Sequence, residues 1–347
     1  MAVDVTLSGG TVSNPSTIGV SSTVIGSVLS DPNLVNPGSI SNVFTAVGQG
    51  SVVASAVDNS AFIVVDPQLA VTVVGGSAQN QLIAGNDVSG TTINTTIGTG
   101  TVVAGNAGTV IGLLGEQGVG GSYTVLGGPQ ADTIVAASGS NTITGGAGAN
   151  LIGLQGGSNA VYSAGDDTVF ASGGSNMIGI GTGTSTVVSS SGSNTIIGGS
   201  GNSNIFVSGG QSTVFGGSGS NNIFAVEQGS LYAVGATESN GRTNLVGAGG
   251  ADTLFGGRGA TGMLGGEGDN LFVFSTVFGG GSTTIGDFNA AGSNNRILVQ
   301  GYSGVTAESL VQNAVVSGGN TVITLPDNTT ILLSGITNLS TNSIIVQ

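Results

Sequence analysis

The stretch GGPQADTIV, Gly127–Val135, is followed by AASGSNTIT, GGAGANLIG and LQGGSNAVY, and the same nine-residue frame runs on to Ala233 with one eight-residue copy, SAGDDTVF at Ser163–Phe170. Three further copies stand at Gly247–Phe255, Gly256–Leu264 and Gly265–Val273. A short fixed period is the mark of a solenoid, one loop and one short strand per repeat. The fourth position is Gly in most copies, for instance Gly139, Gly157, Gly192 and Gly201. A chain that reverses within six residues needs positive φ, which Gly adopts without a Cβ clash. The eighth position is apolar, from Ile134, Ile143 and Ile152 to Val214, Ile223 and Tyr232. β-branched residues between small or polar neighbours suit a strand with one inward side chain and a thin core.

This pattern resembles the repeats-in-toxin (RTX) nonapeptide, G-G-x-G-x-D-x-U-x. The resemblance implies an all-β chain, a parallel β-roll or β-solenoid with β-rich caps at both ends. It also implies two repeats per coil and calcium between the loops of successive coils. The sixth position departs from the pattern. Between Gly127 and Ala233 it is Asp only at Asp132 and Asp167, the latter beside Asp166. Elsewhere it is Asn (Asn141, Asn150, Asn159, Asn176, Asn194, Asn221) or Ser. Calcium affinity depends on how many carboxylates a site supplies, so the Asn loops are expected to close by hydrogen bonds and calcium to be confined to a few coils, with Asp132, Asp166 and Asp167 among the candidate ligands.

The best calcium candidate lies further on. Asp252 and Asn270 hold the sixth position eighteen residues apart, with Asp269 alongside. In a two-repeat coil they share an edge, and backbone carbonyls complete the shell. The other reading makes Asp252 a turn cap that bonds local amides. Both readings stand at this level.

Composition narrows the function. The 347 residues include 67 Gly, 17 acidic and three basic residues, for a net charge of −14, and no Lys, His, Cys or Trp. Such a charge opposes nucleic acid, whose phosphates need cations, and anionic membranes. Without Cys there is no disulfide or thiolate nucleophile. Without His or Lys there is no Ser-His-Asp triad, HExxH site or Schiff base. Paired carboxylates remain, but a glycosidase site usually also has aromatic platforms, which are scarce here. The chain reads as a non-enzyme.

The expected organisation has three parts. Residues 1–70 form an N-terminal β cap or assembly arm, with short strands such as Ser22–Ile25, Asn42–Val47 and Ala61–Val65. Residues 71–273 form the solenoid, with regular nonapeptides over 127–233 and 247–273 and an excursion from Glu227 to Asn244 between them. Residues 274–347 close the roll. They hold a D-F turn (Asp287–Phe288), a strand at Ile297–Gln300, a helix at Ala307–Asn313, and a hairpin of Thr321–Leu325 and Thr330–Ser334 around Pro326–Asp327–Asn328. This order resembles the closing region of RTX proteins, which implies a type I secretion signal at the C-terminus. The opening stretch MAVDVTLSGG has no basic residue and no apolar run long enough for a secretory signal or a membrane span. The expected location is therefore extracellular or at the cell surface, reached without an N-terminal signal peptide.

Ninth positions should point outward, and Phe170, Val188, Phe206 and Phe224 then make a ridge on one face. The ridge is covered either by the chain's own N-terminal segment or by another molecule. The expected function is a secreted structural protein that self-assembles into a filament, surface layer or biofilm matrix. Its partners are further copies of itself and extracellular polysaccharide or a cell surface, and Ala2–Leu7 is a candidate strand for a neighbour's sheet. The alternative is a monomeric carbohydrate-binding or adhesin-type module.

Overall fold

The computed structural model describes strand residues 42–46, 52–54, 60–64, 72–74 and 81–84, and then residues 91–95, 97–115, 119–226, 230–289 and 293–347. The expected strand at Ser22–Ile25 and the arm Ala2–Leu7 lie outside the described residues. The chain divides into two compact units, one from residues up to Val169 with Gly173–Ser175, the other from Phe170–Ser172 with Asn176–Gln347.

In the first unit, successive strands alternate between two parallel sheets. One runs from Asn42–Ala46 to Ser158–Ser163, the other from Val52–Ala54 to Leu151–Leu154. Within the regular repeats each strand pairs with the one eighteen residues later, as Ser140 with Ser158 and Thr133 with Leu151. Before them the loops vary in length, so Thr99 pairs with Ser122. Parallel pairing already begins where Asn42–Ala46 meets Ser60–Val64, which corrects the expected onset near residue 71.

The second unit repeats this arrangement. One parallel sheet runs from Ser193–Ile197 to Arg296–Gln300 and Ile344–Val346, the other from Ser185–Ser189 to Ser282–Ile285. Thr330–Leu333 joins the second sheet in parallel, and Asn320–Thr324 and Val315–Ser317 then finish it antiparallel. The helix spans Ala307–Asn313, as expected. Thr306 caps it, its hydroxyl accepting from Ser309 N while the Ser309 hydroxyl accepts from Thr306 N. The hairpin turn places Asn328 at φ 66°, a conformation Asn tolerates. Tyr302 locks this turn, its hydroxyl donating to Asp327 Oδ2 at 2.8 Å. Burial pushes the tyrosine up to about 12. Burial also works against the Asp327 carboxylate, but hydrogen bonds from Thr329 and Tyr302 outweigh it and hold the group below its ordinary value. Among the described residues no helix is long and apolar enough to cross a membrane.

The core is the stack of eighth positions. Ile134, Ile143, Ile152, Val187, Ile196, Ile205 and Ile223 are fully buried, each contributing about 1.5–3 kcal/mol. Glycine at the fourth position serves two needs. On one edge it supplies left-handed backbone, as at Gly139 with φ 88°. On the other the coils approach too closely for a side chain, and a Cβ on Gly201 would strike the Gly183 carbonyl oxygen.

Two expectations change in the second unit. Val214 pairs with Ala233, nineteen residues on, so Ala233 is the inward residue and Tyr232 faces out. One extra residue in the loop shifts the frame, and a shift of one reverses the face of every side chain. Within the expected excursion, Arg242–Val246 is already a strand in register with Ser220–Ala225 and Ala260–Leu264.

Candidate functional site

The sixth position, read from sequence as a loop ligand, lies inside the roll. Asp132, Asn141, Asn150, Asn159, Asp167, Asn176, Asn194, Asn221, Asp252 and Asn270 are all 1–4% exposed. A polar group so placed must find partners, since an unmet one costs about 1–3 kcal/mol.

The partners come from neighbouring coils. In the first unit, Asp132 N donates to Asn150 Oδ1 at 2.8 Å, Asn150 N to Asp167 Oδ1 at 2.8 Å, and Tyr123 N to Asn141 Oδ1 at 3.1 Å. In the second, Leu231 N donates to Asp252 Oδ1 at 2.6 Å, Asp252 N to Asn270 Oδ1 at 2.9 Å, and Asn270 N to Asn295 Oδ1 at 2.9 Å. The amide nitrogens turn to their own loops, as Asn141 Nδ2 to Ser138 O, Asn159 Nδ2 to Gly156 O and Asn194 Nδ2 to Ser191 O. Some also reach the next coil, as Asn176 Nδ2 to Asn194 Oδ1 at 2.7 Å. Asn both donates and accepts, so it closes a loop unaided, whereas ionised Asp only accepts.

The carboxylates named as metal ligands differ in what they lack. Asp132 accepts from Thr109 N at Oδ1 and from Gly128 N at Oδ2, at 2.8 and 3.0 Å. Burial raises its pKa and these two amides pull it back. Asp167 Oδ1 accepts from both the backbone and the side-chain nitrogen of Asn150, while its neighbour Asp166 is exposed. Asp269 is exposed and accepts from Asn294 N and Nδ2 across the loops. Asp252 is 1% exposed, and its Oδ2 has no hydrogen-bond partner. Burial pushes this carboxyl up to about 6, only partly offset by the Leu231 N–H.

The structure thus joins Asp252 to Asn270 through a backbone hydrogen bond and leaves Asp269 outside, paired with Asn294. Asp252 Oδ2 lies over Gly247, where an added Cβ would strike both this oxygen and the Gly265 carbonyl oxygen. A buried carboxylate oxygen with no hydrogen-bond partner is the kind of donor that a hard cation such as calcium takes. Asp132, with both oxygens met by amides, offers less. Among the described residues no three or more acidic side chains gather into a metal cluster, so a calcium ion at Asp252 would draw most of its shell from backbone and solvent. Arg258 is turned aside, its Nη2 donating to Val277 O at 3.1 Å.

One residue escaped the sequence reading. Asp287, assigned only to a turn, accepts from Gly265 N and Gly266 N at 2.9 and 2.8 Å. It therefore holds the very peptide whose carbonyl stands beside Asp252. The signal was present in its place, a lone Asp just after the strand that follows the last regular copy.

The ridge lies on the outer face of the second unit. Val188, Phe206, Phe224, Val246 and Leu264 follow one another in register. The Phe206 and Phe224 rings stack with centroids 5.3 Å apart and planes at 16°. Phe170 is 45% and Leu264 44% exposed, and the others are half-buried. Alongside runs an outer amide ladder, Asn244 Nδ2 to Asn222 Oδ1 and Asn222 Nδ2 to Asn204 Oδ1, at 2.8 and 3.0 Å.

Residues 126–161, 163–187, 188–223 and 239–272 match the family model of the RTX calcium-binding nonapeptide repeat, in four copies. Repeats of this family bind calcium. No curated protein matches the chain. Among solved structures, the extracellular lipase LipA from Serratia marcescens is similar over 65% of this chain, at 14% identity and a TM-score of 0.25; the match spans 40% of that chain.

Proposed function

We propose that this chain, RTX-type through the repeats between residues 126 and 272, is a secreted, non-catalytic structural protein that self-assembles outside the cell, with calcium supporting the coils around Asp252. The observation that carries the reading is the ridge Val188–Phe206–Phe224–Val246–Leu264, held in register on an outer sheet face. An aligned row of large apolar groups is the kind of surface that a protein buries against a partner. The occupant proposed is a second copy of the same chain. The two phenyl rings stack on each other, so one face of each is already taken, which suits packing against protein better than stacking on sugar rings. The chain's lack of His, Lys and Cys removes the usual bases and nucleophiles and supports a non-enzymatic role.

Sedimentation and electron microscopy of the full chain, with calcium and with a chelator, test the assembly. The wild type should form ordered oligomers or filaments. The double variant Phe206→Ser/Phe224→Ser should keep its β signal and sediment as a monomer. A wild-type chain that stays strictly monomeric in both conditions would sink the proposal.

A further inference from the structure

In one sheet of the second unit a coil is cut short after a shift of register, and a groove opens there. The strands Ser193–Ile197 and Gln211–Phe215 have five residues each, but the next strand of that sheet, Tyr232–Val234, has three. Ser230 and Leu231, opposite Gln211 and Ser212, lie outside the strand. The outer surface is cut back there into a concavity of about 440 Å³, at the lower end of the roughly 300–1,000 Å³ of small-ligand sites.

The lining has a definite chemistry. Thr195, Thr213, Tyr232 and Thr253 form one cross-strand row, with Ser193 and Gln211 beside it. Tyr232 is 42% exposed, and Phe255 braces its ring with centroids 5.0 Å apart. Among the described residues no charged side chain lines the groove, and none of the three arginines of this −14 chain is among them.

We infer that this groove binds a neutral saccharide. A row of hydroxyls and a side-chain amide can pair with sugar hydroxyls in either direction, and Tyr232 adds a fixed amphipathic ring for the apolar face of a pyranose. A uronic acid or sulfated glycan would meet no cation there and the repulsion of the whole chain. The inference goes beyond self-assembly, because the groove and the ridge lie on different sheets and neither needs the other.

The test is calorimetric titration of the full chain, in calcium buffer, with cellohexaose, laminarihexaose and mannohexaose, and with oligogalacturonate as the charged control. At least one neutral probe should bind, tenfold or more weaker to Tyr232→Ala and several-fold weaker to Gln211→Ala. Thr213→Arg, which fills the groove from its exposed side, should abolish binding, and Phe206→Ser/Phe224→Ser should leave it unchanged. Circular dichroism confirms that each variant is folded. The inference is overturned if no neutral probe binds, if Tyr232→Ala and Thr213→Arg both bind like the wild type, or if oligogalacturonate is preferred.

Discussion

Asp132 in the first unit and Asp252 in the second both stand sixth in their repeat, both are buried, and both accept a backbone N–H from the coil before. They part at the other oxygen. Asp132 Oδ2 meets the amide of Gly128, four residues earlier in its own turn. Asp252 Oδ2 meets none. The coil before supplies each of them with one backbone amide, Thr109 N to Asp132 Oδ1 and Leu231 N to Asp252 Oδ1. The same letter in the same repeat is thus a closed hydrogen-bonding unit in one coil and an open oxygen in another. What separates them is the turn of their own coil, which offers Asp132 a second amide and Asp252 none, and the open oxygen is where a cation has something to add.

The comparison can be broken most sharply at Asp132. Asp132→Ala leaves the buried amides of Thr109 and Gly128 without an acceptor and should cost about 2–4 kcal/mol in chemical denaturation, equally with calcium or chelator. A loss seen only with calcium would make Asp132 a metal ligand and erase the distinction.

Calcium should act through the other residue. At a hundred times its Kd it should stabilise the wild type by about 2.7 kcal/mol, read as a shift in thermal unfolding. Asp132→Asn should keep the shift and Asp252→Asn should lose it. The reverse result would move the site to the first unit.

In chelator, pH sharpens the same contrast. The folded-state value of Asp252 is raised to about 6 from 3.8, so between these values the folded chain holds more protons than the unfolded one. Its contribution is then fully present below about pH 4 and is lost as pH rises through 6. Stability from this group should fall by about 3 kcal/mol across that window. The difference curve between wild type and Asp252→Asn should show the fall. A flat difference would mean that the Oδ2 oxygen is solvated after all.

The smallest effect separates inner from outer amides. Asn222→Ala removes a rung of the half-buried outer ladder and should change stability by less than about 0.5 kcal/mol. Asn150→Ala, inside the roll, should cost about 1–3 kcal/mol. Equal costs would show that the outer ladder is as well shielded as the inner one.

Much of this was legible in the chain. The Gly at position four and the Ile or Val at position eight specify turn and inward strand residue locally, so the parallel roll follows from the period. Ala307–Asn313, with Thr306 ahead of it, carries its helix and cap in adjacent residues. Other features were hidden. The strand at Arg242–Val246 sits in a stretch whose loops break the nines, and its pairing depends on coils on either side. Tyr232 was misassigned because one added residue moves it across the sheet without changing its apolar character. Asp287 gains its role only from two glycine amides more than twenty residues away.

By itself the sequence determined the repeat, the glycine-lined turns, the inward aliphatic stack and the replacement of Asp by Asn or Ser at most sixth positions. These are properties of nine residues at a time, and short-range sterics and side-chain chemistry suffice for them. Only the tertiary structure decided that the sixth side chain points inward, that Asp132 is satisfied and Asp252 is not, and that a slipped coil leaves a groove beside Tyr232. The first and the last depend on what an adjacent coil presents at the same height, a relation set by loop lengths and cross-coil hydrogen bonds, and the second on whether the folded turn brings an amide to the second oxygen.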